Sequence, residues 1–151
     1  MVMTGVDERT LASVLDEIIP PSDDGKLPGA GALGVAAHIA QAIERAPELE
    51  LTIAPGLTAA NALANERHGR RFAELAREQK LAVLTALDSA QPAFVPTLTF
   101  HAYIGYYQHP RVIAALGLEP RPPHPQGYTM EPNDLTLLDA VRQRPKLYRE
   151  S

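Results

Sequence analysis

Proline decides where regular structure can run in this chain. Fourteen prolines occur in 151 residues. Each fixes φ and removes a backbone donor, so a helix has to end near it or take it into its first turn. Between them, no stretch alternates apolar and polar residues with period two for long enough to make a strand. Several stretches repeat apolar residues with the period of a helix. The expectation is an all-α fold, a single small helical domain over 1–151 with about six short helices and a proline-rich extended arm near the C-terminus.

In "DERTLASVLDEIIPP", Leu11, Val14, Leu15, Ile18 and Ile19 stand at i, i+3, i+4, i+7 and i+8, a single helical stripe. Asp7 is placed to cap its start, and Pro20-Pro21 ends it. "SDDGKLPGAGALG" carries four glycines and one proline in thirteen residues and reads as a loop. It lacks the preceding strand and the GK[ST] or GxGxxG spacing of a phosphate cradle. "ALGVAAHIAQAIERA" is the next helix, with Val35, Ile39, Ala42 and Ile43 on its apolar face and His38 beside it. Pro55-Gly56 is expected to split the following segment in two. The second piece runs from near Pro55 toward Arg67, with Leu57, Ala60, Leu63 and Ala64 as its stripe. "RFAELAREQKLAVLTALDSA" gives another helix on Leu81, Leu84 and Leu87, with Val83 alongside. Pro110 opens "PRVIAALG", which Gly117 closes.

From Glu119 to Pro132 there are five prolines, one glycine and no apolar periodicity. This is the arm, an extended segment that has to lie on a surface. Asn133 or Asp134 then caps a last helix within 133–145, with Leu135, Leu138 and Val141 on one side.

Charge narrows the function. The net charge is −4, and the nearest approach to a basic patch, Arg67, His68, Arg70 and Arg71, is interleaved with Glu66 and Glu74. That is not the stripe that neutralises phosphates, so nucleic acid is excluded as a partner. No stretch approaches the ~20 apolar residues of a membrane span, so no direct membrane insertion is expected. Cysteine is absent, which removes thiolate chemistry and cysteine-ligated metals. The five histidines form no HxH or HxxxH pair. His101 and His109, eight apart, would lie about 12 Å from each other along one helix, too far to share a metal ion. The carboxylate pairs Asp16-Glu17, Asp23-Asp24 and Glu48/Glu50 read as caps and solvated faces. No catalytic, cofactor-binding or metal-binding residue is assigned.

"HAYIGYYQHP", from His101 to Pro110, holds three of the chain's five tyrosines. On a helix Phe100, Tyr103 and Tyr107 share a face, and Tyr106 stands about 60° away from Tyr103, near Ala102 and His109. Core packing is the expected fate of Phe100 and Tyr103. For Tyr106 and Tyr107, core and interface both stay open, since tyrosine joins a large apolar body to a polar tip.

Four stretches in order resemble the gluconate 2-dehydrogenase subunit 3 family, the small or gamma subunit. They are "TLASVLDEIIPPSDDGKLPGAGALGVAAHI", "RFAELAREQKLAVLTALD", "FHAYIGYYQHPRVIAALGL" and the proline-rich arm with "PQGY", spanning Thr10 to about Tyr128. The resemblance implies a non-catalytic small subunit of an oxidoreductase complex. Its partner would be a large FAD-dependent dehydrogenase of the glucose-methanol-choline type that oxidises a sugar or polyol, with FAD in that partner and a cytochrome c subunit in some systems. Family members help the flavoprotein mature and often supply a twin-arginine export signal. Here Arg70-Arg71 is internal with no apolar run after it, so the chain as written is expected to be cytoplasmic, or periplasmic if such a signal has been trimmed. The expected docking surface combines Tyr106, Tyr107 and His109 with the arm residues Pro120, Pro122, Pro123, Pro125, Gly127 and Tyr128. Two other readings stay open: a stand-alone helical ligand-binding domain or small enzyme built on His101, His109 and the tyrosines, and a self-associating helical protein.

Overall fold

The structure, a computed structural model, describes residues 7–121, 124–125, 127 and 129–145. Among these residues there are seven α-helices and no strand: α1 (Glu8–Ile18), α2 (Ala36–Arg45), α3 (Glu50–His68), α4 (Arg77–Ala90), α5 (Phe94–Tyr107), α6 (Pro110–Ala115) and α7 (Asp139–Arg142). Short 3-10 turns occur at Pro47–Leu49, Phe72–Glu74 and Leu135–Leu138. The chain forms two compact units that part after Pro120, next to the expected start of the arm.

In the first unit α1 packs against α2, α3, α4 and α5. Its stripe explains this, because Leu11, Val14 and Leu15 are wholly buried. Asp7 caps it as expected, accepting from the backbone N–H groups of Arg9 and Thr10, each at 3.1 Å. The cap also belongs to a longer polar chain. Asp7 Oδ2 accepts from Thr10 Oγ1 (2.9 Å) and Asn61 Nδ2 (3.1 Å), and Asn61 Oδ1 accepts from the Phe72 N–H at 3.1 Å. Thr10 is the buried polar residue of the core, and it too accepts from Asn61 Nδ2, at 2.9 Å. A buried hydroxyl is tolerable when it is satisfied in this way. Burial alone pushes the Asp7 carboxyl up, but the bonds from Thr10, Asn61 and Arg9 outweigh it and hold the group below its ordinary value.

The expected break at Pro55-Gly56 does not occur; α3 runs unbroken through it. Pro55 is exposed on the outer side, and Leu51, whose carbonyl loses its intrahelical donor, is exposed as well. Water can therefore satisfy that carbonyl, and the helix continues. Gly56 faces inward for another reason. A Cβ there would stand 2.0 Å from Phe94 Cδ2, so the Phe94 ring rests directly on the α3 backbone. Two helix ends are set by glycine. Gly69, at φ 66°, caps α3. Gly117, at φ 76°, closes α6 by donating to the Ala114 carbonyl while Leu118 donates to that of Ile113, the Schellman pattern. Pro96 falls in the first turn of α5, where no intrahelical donor is needed.

The approach of α2 to α5 is also governed by a glycine. A Cβ on Gly105 would come within 2.9 Å of both His38 Cγ and Val35 Cγ1. Burial, reinforced by electrostatic coupling to His101 and Arg45, lowers the His38 pKa from its ordinary 6.5.

In the second unit, Asp134 caps the Leu135–Leu138 turn by accepting from the Thr136 N–H at 3.0 Å, and α7 follows. Leu135, Leu138 and Val141, expected along one side, are all exposed.

Two outcomes follow from this packing. Gly56→Ala destabilises the chain by about 2–3 kcal/mol, because the Phe94 ring has to move off a well-packed backbone; urea denaturation measures it. The depressed His38 pKa means that the unfolded chain binds more protons near and below pH 6.5. Stability therefore falls as pH drops through 6.5 and levels off below the folded value. His38→Gln flattens that part of the stability–pH curve, read as the difference from wild type across the same pH series.

Candidate functional site

Large apolar and aromatic residues fall on several sides of α5, so its sequence does not say which face is buried. The structure buries Phe94, Leu98, Ala102 and Tyr106, at i, i+4, i+8 and i+12. This reverses the expectation for Phe100 and Tyr103, which are 64% and 47% exposed. It also takes Tyr106 off the surface, at 2% exposure. The physical reason lies in the small residues. Ala102 and Gly105 let α5 approach its neighbours closely, and turning that side inward carries Phe100, Tyr103 and Tyr107 out.

Tyr106 is held by more than apolar contact. Its hydroxyl donates to the Pro28 carbonyl at 2.9 Å, tying α5 to the glycine-rich loop. Burial, with Tyr107 nearby, raises its pKa above the ordinary 10.0 against a smaller opposing pull from Arg111, so the donor keeps its proton. Tyr107 stays on the surface at 49% exposure. Its ring stacks on Tyr103 with centroids 5.8 Å apart and meets Tyr106 edge-on at 5.3 Å. Phe100, Tyr103 and Tyr107 thus form one exposed aromatic ridge.

The ridge borders a groove of about 390 Å³ between α4 and α5, lined by Ile18, Leu81, Leu84, Val95 and Tyr103 with Glu17, Thr85, Asp88 and Thr99. Leu81, expected to share one helix face with Leu84 and Leu87, is 42% exposed here. The Glu17 side chain is 8% exposed and lies 3.6 Å from both Arg77 Nε and Lys80 Nζ. It is therefore not on a solvated face, contrary to the expectation for the Asp16-Glu17 pair. Asp16 also has a structural task. Its Oδ1 accepts from the N–H groups of Gly31 (2.8 Å) and Ala32 (3.1 Å). These two backbone donors of the glycine-rich loop are thus held by a carboxylate of α1.

The remaining expected residues do not gather at one place. His109 caps α6, its Nδ1 accepting from the Arg111 N–H at 3.2 Å. Neither it nor His101 lines the groove. His101 sets its ring edge-on to Phe100 with centroids 5.2 Å apart. Among the arm residues, Pro120 ends the first unit and Pro125 is exposed in the second. Gly127 takes φ 66°, a left-handed conformation that favours glycine. Pro122, Pro123 and Tyr128 lie outside the described residues. Among the described residues no three His, Cys, Asp or Glu side chains group as metal ligands, and no helix is long and apolar enough to cross a membrane. Sequence reasoning missed Asn61, the hub joining α1, α3 and the Phe72 turn. Its single signal was an asparagine in the middle of an otherwise apolar helical stripe.

The family model for gluconate 2-dehydrogenase subunit 3 matches residues 6–120, nearly the whole first compact unit. The match ends before "PQGY". No curated protein and no solved structure matches the chain.

Chemical denaturation separates the two tyrosine faces. Tyr106→Phe leaves the Pro28 carbonyl without its donor and costs about 1 kcal/mol. Tyr106→Ala costs about 3 kcal/mol or more, whereas Tyr103→Ala and Tyr107→Ala stay within about 1 kcal/mol of wild type.

Proposed function

From the premise that this chain belongs to the gluconate 2-dehydrogenase subunit 3 family, we propose that it is a non-catalytic small subunit that binds and stabilises a large FAD-dependent dehydrogenase of the glucose-methanol-choline type. The partner carries the FAD and oxidises a sugar or polyol; a cytochrome c subunit receives the electrons where the complex has one. The small subunit contributes surface.

The observation that carries this reading is the aromatic ridge within the family-matched unit. Phe100, Tyr103 and Tyr107 leave apolar ring area in water on a rigid helix, although the same helix buries Phe94 and Tyr106 completely enough to hold its place. Exposed aromatic area of this kind is what a protein interface uses, since rigid rings lose little entropy on being covered. The docking surface is therefore revised from the one expected on sequence. Tyr107 stays in it, Phe100 and Tyr103 join it, and Tyr106 leaves it.

Affinity purification of the full chain from its native host, read by mass spectrometry and visible absorption, tests the proposal. The expected result is a co-purifying large subunit with a flavin spectrum, lost when Phe100, Tyr103 and Tyr107 are replaced together by serine while far-ultraviolet circular dichroism stays helical. A colourless chain emerging alone, under conditions that preserve weak complexes, overturns it.

A further inference from the structure

The groove between α4 and α5 has a chemical preference of its own. Its α4 wall, from Leu81 to Asp88, and its α5 wall, from Val95 to Tyr103, each span about two helical turns, roughly 11 Å. Walls of that length, apolar along their middle and closed below by Ile18 of α1, match about two turns of a helical segment laid along the groove.

The polar rim says what that helix should carry. Thr85 Oγ1 donates to the Leu81 carbonyl at 2.9 Å, and Thr99 Oγ1 to the Val95 carbonyl at 2.8 Å. Both hydroxyls thus offer the groove only lone pairs. Glu17 and Asp88 are carboxylates, which accept and cannot donate when ionised. Of the lining side chains, only the Tyr103 hydroxyl keeps an O–H to give. Glu17 already has Arg77 and Lys80. Asp88 is exposed and has no ion-pair partner among the described residues. It stands in the last turn of α4, which contains no basic residue. A carboxylate there adds to the negative end of the helix dipole, the reverse of the stabilising arrangement. The isolated chain thus carries at one end of an apolar groove a negative site that nothing within α4 neutralises.

We propose that this groove binds an amphipathic helical segment of a partner protein, with aliphatic side chains along the groove and a lysine or arginine at Asp88. The large flavoprotein subunit is the carrier of that segment, and this identification rests on the function proposed above. The groove's preference for a cation does not.

The test uses the full chain, labelled with nitrogen-15, and two hydrocarbon-stapled helical peptides. These share one leucine spacing and differ in carrying lysine or glutamate at the flanking positions. The expected result is that the lysine peptide shifts the amides of Leu84, Thr85 and Thr99 and binds about fivefold or more tighter than the glutamate peptide. Asp88→Asn and high salt each abolish that difference, while Asp88→Asn leaves the free chain at least as stable as wild type. Equal binding, no binding, or shifts confined to other surfaces overturns the proposal. So does self-association of the chain that moves the same amides, which would make a second copy the occupant. A captured flavoprotein whose affinity is indifferent to Asp88→Asn overturns the assignment of its segment to this groove and leaves the subunit reading standing. A lysine-selective groove with no flavoprotein captured does the opposite.

Discussion

The Phe94 ring rests against a backbone that has no side chain to keep it away, and the arrangement of the first unit depends on that contact. Gly56 supplies the gap and Phe94 fills it, so α3 and α5 meet at one fixed point. Phe94 is the first residue of α5. Its seating therefore sets where the helix begins and how it is rotated. Leu98, Ala102 and Tyr106 then follow inward at four-residue steps, and the other side of the helix has to face out. The aromatic ridge is a geometric result of how α5 enters the core.

A few polar groups hold what apolar packing leaves loose. The loop before α2 is pinned from two sides, by the Asp16 carboxylate on its N–H groups and by the Tyr106 hydroxyl on the Pro28 carbonyl. Asn61 does the same for the entry to α1 and the turn at Phe72. In each case a side chain satisfies backbone or hydroxyl groups of an element distant in sequence, a task that irregular segments cannot perform for themselves. A chain with so many interruptions needs such links, because each proline or glycine break removes local bonds that a longer helix would have supplied.

Much of the fold was legible, and the reasons differ by element. The α1 stripe, its Asp7 cap and its double-proline stop are local signals that no tertiary contact contradicts. Gly117 and Pro110 bracket α6 by backbone chemistry alone. Pro55 misled because its cost depends on which way it faces, and facing is a tertiary property. Tyr106 and Tyr103 were exchanged for a related cause. On a helix with large apolar residues on several sides, ring size suggests burial, but the depth of approach is set by the smallest residues, Ala102 and Gly105. The Asp16-Glu17 pair looked like surface charge because its partners, the 31–32 backbone and Arg77 with Lys80, lie far along the chain. The groove was not legible at all, since its lining comes from α1, α4 and α5, which are far apart along the chain.

The chain contains no tryptophan, and its two stacked surface rings, Tyr103 and Tyr107, sit beside the groove. Its ultraviolet emission is consequently tyrosine emission alone, with two of the emitters on the ridge itself. A partner that brings tryptophan or a flavin near that ridge becomes an energy acceptor, and one that merely covers the rings changes their solvent. The molecule therefore carries its own optical probe of contact, in the place where contact is expected, without a label.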